Sequence, residues 1–357
     1  MKVTQQQARE FLESITEKDN VAIFTHKDLD GFAAGSLLYN FCKKKNVKAE
    51  VFIIDFGVNK ISDYNLKEFN IILLSDLAPG MVGEDLAKLK DKKVLYTDHH
   101  PEEQKYPIAE SILELRTAKE EYIPSSRTCF ELTEKENKEL EWLGVLGTLS
   151  DMGQLHKINK EFLNTYYQKN NTNYERTYEF AKLLNNVILF FSANAEAFYK
   201  IADLKEIKDI YQLKEYYEPV EEEWNRLEKQ FEKEKENFGQ IVYFYLESKY
   251  KLLKSPFITG LSGNEPKKVY IFATPKKDSL LSLSGRNQSR EYSTLKIMSE
   301  CLEGLKDGQA VGHISATGGQ VDKSDLETFK QNLKNYNIES ARIVSDKINC
   351  GNLGKSQ

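Results

Sequence analysis

The first residues repeat their apolar positions with a helical period. Ala8, Phe11, Leu12 and Ile15 stand at i, i+3, i+4 and i+7, with polar residues between them. The pattern then changes to short apolar runs separated by longer amphipathic segments. Residues 21–25 form such a run and end in HKDLDG, and residues 32–45 follow with a helical pattern. Residues 47–54 read as a strand. Residues 71–75 read as a buried strand stopping at Asp76, and 94–97 as another stopping at Asp98-His99-His100. Strands alternating with helices predict a parallel sheet covered by helices, in which ligands sit beyond the carboxyl ends of the strands. The polar residues just named all lie at that end.

Residues 132–200 predict mainly helix. A long charged helix begins at Val220, where Val220, Trp224, Leu227 and Phe231 make one apolar stripe among Glu and Lys, and Gly239 closes it. A single stripe predicts a connecting helix docked by one face, in preference to a partner-binding helix. Strand-like runs follow at 241–246, 269–274, 280–284 and 343–345, with helices at 294–303 and after Ser324, where SDLE fits a capping box. The expected fold is α/β: a parallel-sheet N-terminal domain over 1–205, a long connecting helix over 206–238, and a smaller α/β C-terminal domain over 239–350.

A chain of 357 residues agrees with two domains, and 40% hydrophobic with 29% charged residues excludes wholesale disorder. No window approaches the roughly 18 uncharged apolar residues of a membrane span, and MKVTQQQAREFLES has no apolar signal core, so a cytoplasmic location is expected. Cys42, Cys129, Cys301 and Cys350 are scattered without metal-ligand spacing and are expected to be reduced thiols. A net charge of −5 removes the global basic footprint of proteins that hold long nucleic acid by phosphate neutralisation. It leaves open a basic cleft on an acidic body, or a short ligand.

The histidines carry the chemistry. Of five, His26, His99 and His100 stand beside aspartates at strand ends, His313 stands in a glycine-rich turn, and only His156 lacks such a setting. Clustered carboxylates repel one another and resist burial, and a cation removes that penalty. Asp28, Asp30, Asp76, Asp98 and Asp151, with His26, His99 and His100, supply ligands for two divalent ions. Mixed His/Asp ligation suits Mn²⁺, Co²⁺ or Fe²⁺ better than an all-oxygen Mg²⁺ site. Each piece has a plainer reading: DHH as an exposed turn, Asp76 as a helix N-cap, Asp151 as a cap at a helix end. DLDG as a calcium-loop fragment lacks the bidentate Glu at position 12.

The ordered combination resembles the DHH phosphoesterase superfamily: THKDLDGFAAG (25–35), LLSDLAPG (73–80), TDHHP (97–101) and GTLSDMG (147–153), with GHISATGG (312–319) similar to the signature of the DHH-associated domain. Within the superfamily it is most similar to the RecJ-like exonuclease and nanoRNase branch. The resemblance implies two lobes around a cleft. It implies one metal on His26, Asp28 and Asp76 and a second on Asp30, Asp76, His99 and Asp151, with Asp76 bridging. Asp98 would orient its neighbours, His100 would act at the scissile phosphate as electrophile or acid, and a water activated by two cations would attack phosphorus. Mn²⁺ is the expected ion, with Mg²⁺ or Co²⁺ as alternatives. Arg286 in SLSGRNQ matches the family's phosphate-binding arginine, against the plainer reading of a solvated loop residue. His313 with Gly312, Gly318 and Gly319 matches the nucleotide-contacting turn, against a hydrogen-bonded structural histidine. Residues 309–311 replace the glycines that usually precede that histidine. Arg127 is a further candidate phosphate contact.

The function implied is metal-dependent hydrolysis of single-stranded DNA, RNA or short oligonucleotides, with a replication or repair protein as candidate partner and no membrane association. The alternatives are an inactive binding subunit of a replication complex, and a pyrophosphatase or cyclic-dinucleotide phosphodiesterase of the same superfamily.

Overall fold

The computed structural model describes residues 1–100, 109, 111–116 and 121–343. They fall into two compact units, Met1–Val220 and Glu221–Gln357.

The first unit is built on strands β1 (Asn20–His26), β2 (Lys48–Ile54), β3 (Ile71–Ser75), β4 (Lys93–Asp98) and β5 (Ile112–Arg116). They form one sheet in the order β2-β1-β3-β4-β5, every pairing parallel. β3 is buried at all its positions, as expected of a strand covered on both faces. Helices α1 (Gln5–Glu13), α2 (Leu29–Lys44) and α3 (Pro79–Leu86) belong to the strand–helix alternation. α4 (Ser125–Asn137), α5 (Glu141–Ser150), α6 (Lys157–Lys169), α7 (Tyr174–Phe190) and α8 (Ala195–Ala202) form the helical part. α2 is buried nearly all round, between β1 on one side and α4, α5 and α8 on the others, so it is a core helix without a solvent stripe.

β5 escapes the sequence pattern because Glu114 and Arg116 interrupt its apolar run. Their charged groups are buried and lie 3.6 Å apart. Residues 1–3 run along its outer edge, with Val3 N–H donating to Glu114 O and Glu114 N–H to Met1 O.

The long helix α9 (Lys214–Glu234) starts before Val220 and carries Pro219 inside it, at the loss of one backbone hydrogen bond. It also ends before Gly239. That glycine, at φ 65°, turns a hairpin between β6 (Glu236–Phe238) and β7 (Ile241–Tyr245). The apolar stripe is docked as expected: Phe231 packs edge-on against Phe244 at 5.3 Å and Trp224 against Phe257 at 5.0 Å.

The second unit adds α10 (Lys254–Asn264), β8 (Val269–Pro275), β9 (Leu280–Arg286), α11 (Thr294–Leu302), β10 (Gln309–His313), β11 (Ala316–Asp322) and α12 (Leu326–Asn335). Its sheet runs β10-β11-β9-β8-β7-β6, with only β7–β8 parallel. Ile271, Leu281, Leu283, Met298, Phe329 and Leu333 are among its core residues.

Several local expectations are corrected here. The glycine-rich turn at 312–319 is a β-hairpin, β10–β11, closed through Ile314 and Ser315. The capping box at Ser324 does not form, because Asp322 accepts from both the Ser324 N–H and its hydroxyl and α12 begins at Leu326. Ile343 is not in a strand; Arg342 makes an isolated bridge to Tyr292, and Ser345 lies outside the described residues. Cys42, Cys129 and Cys301 are buried free thiols, and Cys350 lies outside the described residues. Among the described residues no helix is long and apolar enough to cross a membrane.

α4 and α5 approach so closely that Gly147 leaves no room for a side chain. A Cβ there would lie 2.3 Å from Ser126 Oγ and 3.0 Å from Asp30 Oδ1. Gly147→Ala is therefore expected to destabilise the protein by about 1–3 kcal/mol through overpacking, measured as a lower urea midpoint at unchanged slope.

Candidate functional site

Parallel register brings Thr25, Ser75 and Thr97 into one row across β1, β3 and β4. The next residue of each strand is then His26, Asp76 or Asp98, so three side chains from distant sequence positions emerge at one edge. The strand order reverses between β1 and β3, and the crevice at such a switch point is where open α/β sheets bind ligands.

Asp76 adopts a left-handed backbone at φ 58°, with its N–H held by Thr97 O. It is not the N-cap of α3, which is Ala78. Asp28 caps α2, its Oδ1 accepting from Gly31 N–H at 3.0 Å. A Cβ on Gly31 would lie 2.4 Å from His26 O, so the tight DLDG turn requires this glycine. Asp151 is the C-cap of α5, an unfavourable end for a negative charge.

Ligand-type atoms converge in three overlapping groups: His26, Asp28 and Asp76; Asp30, His99 and Asp151; and Asp76, His99 and His100. Within each group they lie within 4.8 Å of one another. His26 Nδ1 is 2.9 Å from Asp28 Oδ2 and 3.8 Å from Asp76 Oδ2. His99 Nε2 is 3.1 Å from Asp151 Oδ2, and its Nδ1 is 3.7 Å from both Asp30 Oδ2 and Asp76 Oδ1. His26 Nδ1 and Asp76 Oδ2 are buried without a hydrogen-bond partner. Asp76 Oδ2 accepts no hydrogen bond, and His26 Nδ1 meets Asp28 at 2.9 Å without hydrogen-bond geometry, so both atoms remain available to a cation.

The carboxylates are held from behind. Asp30 accepts from Ser125 N–H at 2.8 Å and Ser126 N–H at 3.0 Å, at the N-terminus of α4. Asp98 accepts from His100 N–H at 3.0 Å and lies 2.8 Å from His100 Nδ1, which fixes that ring; it also faces Arg116 at 3.5 Å.

Protonation follows from this crowding. Burial, then Asp28, Asp30, Asp151 and Asp98, raises Asp76 well above the carboxylate range. Burial and Asp151 push Asp30 up to about 6. For His99, burial alone would lower the pKa, but the Asp151 hydrogen bond and the charges of Asp30, Asp151 and Asp98 outweigh it and carry it up to about 9. Burial likewise opposes the rise at His26, which the Asp28 charge drives. Burial opposes the fall at Asp28, which His26 holds well below the usual range.

Three participants were not legible in sequence. Arg116 donates to His100 O and sits between Asp98 and Glu114. Ser125 stands between His99 and Asp76. Tyr122 donates its hydroxyl to Asp151 Oδ2 at 2.5 Å. Only Arg116 left a signal, as a charge inside an otherwise strand-like run. Arg127 is not a free phosphate contact: its guanidinium bonds Glu131 Oε1, Ile158 O and Asn159 Oδ1 and lies over the Phe162 ring.

In the second unit, Arg286, Ala316 and His313 share one row across β9, β11 and β10. Arg286 bonds Gly285 O and Ser255 Oγ, with no carboxylate partner among the described residues. Lys254, at the start of α10, bonds Ser282 Oγ at 2.8 Å, and burial with Arg286 and Lys276 nearby pushes its pKa down to about 8. His313 and Gly312 are exposed. The two downstream glycines differ. A Cβ on Gly319 would meet Met298 Cε at 2.8 Å, so packing accounts for it, whereas on Gly318 it would meet nothing closer than Val311 O at 3.9 Å.

Residues 20–149 match the family described as DHH family, N-terminal domain. No curated protein sequence matches the chain. Among solved structures, RecJ from Thermus thermophilus in complex with Mn²⁺ is similar at 13% identity and a TM-score of 0.67 over 92% of this chain, which spans 54% of that protein. A second exonuclease RecJ, bound to manganese, is similar at 14% identity and 0.64, covering 92% of this chain and 93% of that one. CDC45 from Entamoeba histolytica is similar at 10% and 0.53, covering 94% and 99%. At these identities the likeness is one of fold.

The pKa directions give a test. Between pH 6.5 and about 9 folded His99 keeps a proton that the unfolded chain releases, so without metal its contribution to stability is lost as pH rises through that window. The metal-free parent should lose thermal stability there, and His99→Gln should lose less. Since His99 and Asp76 must shed protons to bind a cation, Mn²⁺ binding should release protons, seen as a buffer-dependent calorimetric enthalpy.

Proposed function

This chain belongs to the DHH phosphoesterase superfamily through its N-terminal domain, and on that footing we propose that it is a two-metal phosphodiesterase acting on single-stranded DNA or RNA or short oligonucleotides. The observation that carries the reading is the convergence of three ligand groups linked through Asp76 and His99, with Asp76 Oδ2 buried and accepting no hydrogen bond. His26, Asp28 and Asp76 would hold one ion, and Asp30, Asp76, His99 and Asp151 the other. The mixture of imidazole and carboxylate favours Mn²⁺. When bound, such ions polarise phosphate oxygens and lower the pKa of water.

The chain's own residues supply the rest. Asp98 accepts from His100 Nδ1–H, which leaves Nε2 to hydrogen-bond a phosphate oxygen or to protonate the leaving oxygen. Arg116 steadies that pair. In the second unit Arg286 and Lys254 bind substrate phosphates, with the open backbone at Gly318 and the exposed His313 beside them. The fold shared with CDC45 makes an inactive replication-complex subunit the alternative, but such a subunit has no need of a complete His/Asp set.

End-labelled DNA and RNA oligonucleotides incubated with Mn²⁺ should give product ladders, abolished by EDTA; no cleavage of either would contradict the reading. His100→Ala should lower the rate by ~10²–10³ at unchanged metal content. Arg286→Ala should reduce kcat/KM on oligonucleotides by roughly 10- to 150-fold, mainly through KM, with a far smaller loss on bis(p-nitrophenyl) phosphate. Equal losses on both substrates would place Arg286 at the reacting phosphate.

A further inference from the structure

Tyr122 links the carboxylate cluster to an aromatic surface. Its hydroxyl bonds Asp151, and its ring meets His99 edge-on with 4.9 Å between centroids. Against Tyr122 lies the imidazole of His156, at 4.3 Å between centroids and 19° between planes. His156 is exposed, so the pair gains little from burial.

The stack is nevertheless firmly built. Asn159, fully buried, donates to Tyr122 O and Gly153 O, both at 2.9 Å, and its own oxygen accepts from Arg127 at 2.9 Å. That bracing is what Arg127 does in place of binding phosphate. Around the stack the same segment leaves apolar side chains in solvent: Met152 is 51% exposed, Leu155 71% and Ile158 39%. One exposed apolar residue is ordinary; three within seven residues of chain, on the segment that carries the outer ring of a stack begun at a candidate metal ligand, are not.

We propose that the Tyr122–His156 stack is a shelf for one nucleobase, that of the nucleotide whose phosphate lies at the His/Asp cluster, with Met152 and Leu155 as its apolar flank. The inference rests on the phosphodiesterase reading for its ligand and deepens it by assigning base recognition to the first unit. A nucleobase is the chemistry that fits: it presents a flat π face, is joined covalently to the phosphate, and stacks on aromatic rings without regard to sequence. The side chains of Met152 and Leu155 carry no hydrogen-bonding group that would select one base, so the shelf should tolerate all bases.

The test is binding of a dinucleotide carrying 2-aminopurine, with a phosphorothioate linkage to suppress turnover, in the presence of Mn²⁺. The parent should quench the fluorescence by stacking. His156→Ala should weaken binding by about 5- to 150-fold, and His156→Phe should keep it near the parent's. The advantage of the base-bearing dinucleotide over an abasic counterpart should fall by the same factor in His156→Ala. No quenching by the parent, unchanged affinity in His156→Ala, or equal losses on base-bearing and abasic ligands would each overturn the shelf. Hydrolysis of the ordinary phosphodiester is scored separately. Binding with the expected His156 dependence but no cleavage would leave the shelf standing and sink the catalytic reading.

Discussion

Carboxylates buried side by side repel, and the first unit is organised around that repulsion. Asp30, Asp76 and Asp98 are almost without exposure, and Asp28 and Asp151 stand at their rim. In a dry site such a cluster persists only if it is neutralised by protons, cations or aimed dipoles. The structure uses fixed charges and dipoles wherever the fold can supply them. The N-terminus of α4 is spent on Asp30, and the buried Arg116 on Asp98. Asp76 receives less: a long hydrogen bond from the Ser125 hydroxyl at 3.4 Å, and the His99 and His26 rings at 3.7 and 3.8 Å. Its Oδ2, which accepts no hydrogen bond, marks where the balance is left open. Asp151 adds to the strain, because it occupies the C-terminal end of α5, where the helix itself repels it.

These costs make sense only together. A sequence selected for stability alone would not place His or Asp at the end of each of three adjacent strands, nor hold Asp76 in a left-handed backbone. Local rules are broken at one point while the rest of the unit obeys them: β3 is uniformly buried, α2 is buried nearly all round, and Gly147 lets α5 touch α4, whose Ser126 reaches Asp30. Concentrated violation within a consistent fold is the pattern of a functional site. The second unit shows a milder form, with Lys254 and Arg286 near each other on serine hydroxyls.

What could be read from sequence tracks how purely each segment expresses one physical preference. β1, β3 and β4 are apolar runs ending in Asp or His, so both the strands and the chemistry at their ends were legible. β5 was hidden because Glu114 and Arg116 break its apolar run, and the Asp98 that faces Arg116 at 3.5 Å comes from β4, a pairing a single sequence does not display. The β10–β11 hairpin was hidden by its glycines, one of which serves packing against Met298. Helix α9 was read short at its start because Pro219 signals a boundary that tertiary packing overrides. Arg127 looked free because two of its partners, Asn159 and Ile158, come from a helix remote in sequence, although Glu131, four residues on in its own helix, was in view. Tyr122, Ser125 and Lys254 owe their places entirely to neighbours from elsewhere in the chain, and no spacing announces them.

The central claim is that the clustered His and Asp side chains form a single two-ion centre joined at Asp76. Electron paramagnetic resonance of the intact protein during Mn²⁺ titration tests it most directly. Two ions about 3.5–4 Å apart are magnetically coupled, so the account predicts a coupled dinuclear spectrum that saturates at two ions per chain and collapses to isolated-ion lines in Asp76→Asn. Saturation at one uncoupled ion, or a parent spectrum unchanged by Asp76→Asn, would contradict it.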